Sequence, residues 1–139
     1  MPKIVCVSLY ADPLTPGHVQ VLELAKKLGD KLFVIVNNDE QAALKKGRAF
    51  IPAADRLKII RGLACVDGAC ISCDKDRTVR ETLRIVRPDV FANGGDVTAD
   101  SPAPEREVCD ELGIEMVYGL GAKISSSRWY LERAGFPTY

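Results

Sequence analysis

Short apolar runs alternate with longer stretches in which apolar residues recur every three or four positions. KIVCVSL at 3–9 is rich in β-branched residues, and LFVIVN at 32–37 is almost continuously apolar. Runs of this kind suit strands covered on both faces, as in a parallel sheet. Between them, residues 17–28 place Val21, Leu24, Ala25 and Leu28 on one helical face, and Gly29 is expected to cap that helix. Beyond this strand–helix–strand unit, the pattern predicts helices at 40–46, 52–64, 78–86 and 104–112, with Leu57, Ile60 and Leu63 facing inward from the second. It predicts strands at 68–73, 89–92 and 114–118, and a final helix opening at the serines 125–127. Pro88 and Gly113 supply helix stops.

Strand–helix alternation at this length predicts one α/β domain over 1–139, a Rossmann-like doubly wound sheet of five parallel strands in the order 3-2-1-4-5. Ligands of such sheets bind beyond the carboxyl ends of the strands, where the strand order reverses. The segments to inspect are therefore 10–18, 37–40, 93–98 and 119–127.

Composition narrows the partners. The 139 residues are 47% hydrophobic and 27% charged, and 19 basic residues balance 19 acidic ones. No net field favours a polyanion, so neither nucleic acid nor an anionic membrane is an expected partner. No apolar run approaches the roughly 20 residues that span a bilayer, and a cytoplasmic location is expected. The five cysteines are scattered and odd in number, and Cys70 and Cys73 are read as ordinary thiols. A zinc site lacks its remaining ligands, because His18 is the one histidine. Arg77, Arg80, Arg84 and Arg87 recur at helical spacing and are read as a solvated face or subunit contact. Trp129 is expected to pack on the sheet.

The chemistry sits in the loops. In ADPLTPGHV, Pro16 and Gly17 suit a tight turn into a helix whose first N–H groups are unpaired, a natural seat for phosphate. Thr15 and His18, one helical turn apart, can converge on one anion. In PDVFANGGDVT, paired glycines let a flat base approach the backbone, and Asp96 offers a carboxylate to ribose hydroxyls or to a metal-bound water. In GLGAKISSSRWYL, three serines at a helix start are bracketed by Lys123 and Arg128, which makes a second anion site.

This set resembles the small nucleotidyltransferase superfamily of cytidylyl- and adenylyltransferases. LYADPLTPGH stands for the superfamily's first loop, roughly G-x-F-D-x-x-(H/T)-x-G-H, and ISSS for its closing helix start. VNND, LKKGRAFIPAADR and RPDVFANGGDVT match between them, over about residues 4–132. The R-P-D-V and G-G-D-x-T elements most resemble the domain that adenylylates heptose 1-phosphate, with glycerol-3-phosphate cytidylyltransferase the next comparison. The resemblance implies transfer of AMP, or CMP, from ATP or CTP with Mg²⁺ onto a phosphorylated sugar or polyol, with release of pyrophosphate.

It also implies residue roles. Tyr10, Ala11, Asp12 and Gly17 would hold the nucleotide, with Asn93, Gly94, Gly95 and Asp96 at the base and ribose and Ser125, Ser126 and Ser127 at the closing phosphate site. His18, Thr15, Lys46 and Arg56 would be catalytic, Lys46 as a mobile-loop lysine with Lys45 its near-equivalent. Asp39 and Arg56 would face the acceptor. No protein metal ligands are implied, because Mg²⁺ would be held mainly by substrate phosphates. A homodimer is expected. Leu9 and Ala11 replace the usual Gly and Phe, and Thr15 replaces a histidine, as in phosphopantetheine adenylyltransferases. The competing expectations are a relative that binds nucleotide without transferring it, as a sensor or scaffold, and a generic flavodoxin-like binding module.

Overall fold

The computed structural model describes residues 1–94, 100, 103–121 and 126–136. Five strands, β1 (Ile4–Leu9), β2 (Lys31–Val36), β3 (Gly68–Ile71), β4 (Val90–Gly94) and β5 (Glu115–Leu120), form one sheet in the order β3-β2-β1-β4-β5. Every pairing is parallel. The helices are α1 (Pro16–Lys26), α2 (Asp39–Lys46), α3 (Ala53–Arg61), α4 (Arg80–Val86), α5 (Arg106–Leu112) and α6 (Ser127–Arg133).

Side chains alternate across a strand, so the continuous apolar runs feed two cores. Val5 and Val7 of β1 and Val34 and Val36 of β2 join Leu22 and Ala25 of α1 and Ile60 of α3 on one face. Cys6 and Ile35 point the other way, into a cluster with Phe91, Leu83 of α4, and Val108 and Cys109 of α5. Each large side chain so buried contributes about 1.5–3 kcal/mol relative to exposure.

Several element ends differ from the sequence reading, for local reasons. α1 stops at Lys26 because the N–H groups of Lys27 and Leu28 turn to carbonyls three residues back, at 3.2 and 3.0 Å. Gly29 is not the cap. It is small because a Cβ there would lie 2.8 Å from the Lys3 carbonyl oxygen and from Val5 Cγ2. Gly113 does end α5, at φ 71°. α4 starts two residues late, since Thr78 donates its backbone N–H and its hydroxyl to Asp76 instead of entering the helix.

The arginine stripe is a paired, largely solvated face: Arg80 meets Asp76, and Arg84 meets Glu81 and Glu111. Cys70 and Cys73 are free thiols. Trp129 does not pack on the sheet. It is 46% exposed, and the buried anchor of α6 is Leu131. Among the described residues, no helix is long and apolar enough to cross a membrane.

Candidate active site

β1 and β4 are neighbours at the sheet centre, and the helices after them pack on opposite faces, α1 on one and α5 on the other. The loops leaving the two strands therefore separate and open a crevice at the carboxyl edge. The loop 10–15 forms one lip.

Thr15 is the N-cap of α1, with Pro16 in the first helical position. The Thr15 backbone N–H donates to His18 Nδ1 at 3.0 Å, and the Thr15 hydroxyl lies 3.0 Å from the same nitrogen. A backbone N–H can only donate, so Nδ1 carries the lone pair and the neutral ring holds its proton on Nε2. Burial, with Lys45 and Lys46 nearby, lowers the His18 pKa to about 4. At neutral pH the ring is an uncharged Nε2–H donor. The sequence suggested that Thr15 and His18 converge on a common guest; instead Thr15 bonds to His18 and fixes its tautomer.

Asp12 is fully buried. Its two carboxylate oxygens accept from the backbone N–H of Ile51, at 2.6 Å, and of Phe50, at 2.9 Å. Lys46, in the last turn of α2, is buried as well; it pairs with the Asp12 carboxylate and donates to the Asp12 carbonyl at 2.9 Å. The structure thus places Lys46 in the floor of the site, tied to the first loop, and not on a loose segment. Lys45 stands at the surface, its Nζ 4.3 Å from the centroid of the Tyr10 ring. Ala11, buried between these residues, holds a left-handed φ of 49°.

Arg56 is 1% exposed and its guanidinium is committed. It donates to the carbonyls of Ile51 (2.8 Å), Tyr10 (2.8 Å) and Asn37 (2.7 Å) and to Asp39 Oδ1 (2.9 Å). Asp39 also caps Ala53 N–H at 2.8 Å and stays half exposed. Arg56 therefore joins the loops after β1 and β2 to α3.

A second polar hub was not read from the sequence. Gln41 accepts from Asn37 and Asn38 and donates to the carbonyls of Asp76 and Thr78. Asn38 caps α2 and donates to the carbonyls of Ser72 and Asp74. Asp74 in turn accepts from the N–H groups of Glu81 and Thr82. The one available signal was the N-N-D-E-Q run, whose Asn and Gln lie three apart as in a capping box.

On the far lip, Asn93 donates to the Val117 carbonyl at 3.2 Å, and the β4–β5 register is irregular between Ala92 and Gly94. Gly95, Asp96 and Ser125 lie outside the described residues. Ser126 caps α6, accepting from Trp129 N–H. The Ser127 hydroxyl donates to the Pro13 carbonyl at 2.6 Å, which joins the start of α6 to the first loop two residues from Thr15.

A Rossmann-like sheet with helix starts and basic side chains gathered over its switch point defines a nucleotide-binding α/β domain. The comparisons give the family: the cytidylyltransferase-like family model matches residues 10–128, and the chain belongs to that family. It is 42% identical over 108 residues to the bifunctional protein HldE of Streptomyces coelicolor, covering 76% of this chain and 23% of that protein. It is 39% identical over 113 residues to the FAD synthase of Methanosarcina mazei, covering 81% of this chain and 68% of that enzyme. The chain thus spans about a quarter of the bifunctional relative and two thirds of the FAD synthase. The crystal structure of a lipopolysaccharide core biosynthesis protein from Thermoplasma volcanium superposes with a TM-score of 0.70 at 27% identity, covering 85% of this chain and 96% of that one.

Proposed function

We propose that this chain is a nucleotidyltransferase that moves AMP, or CMP, from ATP or CTP onto a phosphorylated sugar or polyol and releases pyrophosphate. The observation that carries the reading is the contact between Ser127 and Pro13, which draws the start of α6 onto the loop that orients His18. One triphosphate can then touch both.

An acceptor phosphate oxygen attacks the α-phosphorus in line, the new P–O bond forms, and the bond to the β-phosphate oxygen breaks. Negative charge spreads over the phosphate oxygens, so positioning and electrostatic stabilisation supply the catalysis. His18 offers Nε2–H to an α-phosphate oxygen, the partial positive charge at the N-terminus of α1 favours the phosphate, and Lys45 brings positive charge to the mouth. Thr15 is a positioning residue acting through the His18 ring. Arg56 acts through Asp39 and the Tyr10 backbone, and the Asp12–Lys46 pair through the backbone at 50–51. The base and ribose would lie beyond Asn93 and Gly94. The relative named FAD synthase, whose product carries an adenylyl group, supports an adenylyl donor.

Among the described residues no three His, Cys, Asp or Glu side chains are grouped to hold a metal, and the Asp12 carboxylate is fully used. The residues fit a Mg²⁺ that arrives on the triphosphate and, when bound, neutralises phosphate charge.

The test is pyrophosphate release with Mg²⁺, ATP or CTP, and a panel of sugar and polyol phosphates. Release that depends on both nucleotide and acceptor supports transfer. Nucleotide binding without release from any acceptor favours a sensor.

A further inference from the structure

Two consecutive residues of the first loop, Asp12 and Pro13, are held from opposite ends of α6. At the start of the helix, the Ser127 hydroxyl donates to the Pro13 carbonyl at 2.6 Å. At its other end the chain turns back in a Schellman motif. Gly135 takes φ 78° and donates its N–H to the Glu132 carbonyl at 3.0 Å, and the Phe136 N–H donates to the Leu131 carbonyl at 2.8 Å. That turn delivers the Phe136 ring to the segment 47–51. There it meets Phe50 edge-on, with ring centroids 5.2 Å apart and planes at 86°. The Arg48 guanidinium lies over the same ring, its central carbon 4.5 Å from the centroid.

Edge-to-face aromatic pairs and an arginine over a ring are attractive beyond the area they bury. Phe50 has a second commitment, because its backbone N–H donates to the Asp12 carboxylate at 2.9 Å. Pro13, Ser127, α6, Phe136, Phe50 and Asp12 thus form a closed circuit through the loop that carries Thr15 and orients His18. Between the two ties α6 buries one side chain, Leu131, so its seat depends on them. Phe50 is 46% exposed and Arg48 lies at the surface, outside both core clusters. The work of this aromatic contact is to place a helix, not to fill an interior.

We propose that Phe136 is a positioning residue for the nucleotide: it latches the end of α6 onto Phe50 and Arg48, and so fixes the spacing between the helix start at Ser127 and the His18 loop. It acts through Phe50 and Ser127 and makes no contact with the nucleotide. The inference rests on the reading that one triphosphate spans those two segments, but its test does not require turnover.

The test is calorimetric titration with α,β-methylene-ATP and α,β-methylene-CTP in the presence of Mg²⁺. Phe136→Ala is expected to weaken binding of the analogue that the wild type takes by about three- to tenfold, whereas Phe136→Tyr, which keeps the ring, is expected to bind as the wild type does. Phe50→Leu changes a half-exposed position and reads the same contact should Phe136→Ala not fold; a similar weakening is expected. Phe50→Leu/Phe136→Ala is expected to bind no more weakly than the more affected single variant, because the two rings act as one contact. Trp129, the one tryptophan, reports α6 itself, and its quenching by acrylamide is expected to rise in Phe136→Ala and in Phe50→Leu. Wild-type affinity in Phe136→Ala and Phe50→Leu, a Phe136→Tyr variant as weak as Phe136→Ala, losses that add in the double variant, or unchanged quenching would overturn the proposal. If the expected effects are found in a protein that releases no pyrophosphate with any acceptor, the latch stands and the transfer reading falls. A wild type that binds neither analogue overturns both.

Discussion

The Ser127 hydroxyl donates to the Pro13 carbonyl at 2.6 Å across 114 positions of sequence. This bond ties the last helix to the first loop and makes one site of two segments that would otherwise be separate. Ser127→Ala removes a single net hydrogen bond, worth about 1 kcal/mol. The expected outcome is a small drop in melting temperature together with a several-fold rise in KM for the nucleotide, read by steady-state pyrophosphate release. An unchanged nucleotide KM would mean that the tie does not shape the nucleotide site.

His18→Ala is expected to lower turnover by about 10²–10³-fold, the usual effect of losing one preorganised donor at a developing charge. Circular dichroism should show an intact fold, since His18 is only partly buried and bonds locally to Thr15. Near-normal rates in this variant would contradict the role assigned to the ring.

Arg56→Met tests a structural role. The change leaves the carbonyls of Ile51, Tyr10 and Asn37 without their donor. Breaking such a buried network costs about 3–5 kcal/mol. Urea or thermal unfolding should therefore show a large loss of stability, alongside any loss of activity. A variant as stable as the wild type would mean that Arg56 is not the strut between these loops.

Lys46→Met removes the partner of a fully buried carboxylate. Uncompensated burial of the Asp12 charge is expected to cost about 3–5 kcal/mol, and Asp12→Asn/Lys46→Met is expected to recover part of that loss. A double variant no more stable than Lys46→Met alone would show that the two groups are not coupled.

The sheet was legible from the sequence because both faces of its central strands are buried, so residues 4–7 and the run after Lys31 read as unbroken apolar segments, and their alternation with helices leaves few topologies. Helix ends were less legible. They depend on particular bonds, such as the Thr78 bonds to Asp76 that delay α4, which no periodicity carries. Trp129 is expected on the sheet from its place a few residues into the terminal helix, whereas the geometry of α6 turns Leu131 inward. In the site, the motif positions of Thr15, His18, Asp39 and Ser127 could be named in advance. Their contacts could not, because the bonds from Arg56 to Tyr10 and from Lys46 to Asp12 span 46 and 34 positions. Gln41 and Asp74 escaped for the same reason: a polar residue, in the first turn of a helix or in a loop, shows no burial in its sequence.

The most direct measurement exploits the single histidine, which gives one set of imidazole resonances in a ¹H–¹⁵N spectrum. The ring is expected to be protonated on Nε2 and unprotonated on Nδ1, with a pKa of about 4 in the free protein. Its Nε2–H signal is expected to move on adding Mg²⁺ with ATP or CTP. The folded pKa lies below the unfolded value of about 6.5, so the unfolded chain binds the extra proton between the two. The ring's share of stability is thus complete above about 6.5 and lost as the pH falls toward 4. A ring protonated on Nδ1, titrating near 6.5 and undisturbed by nucleotide, would rule out His18 as the donor to the triphosphate.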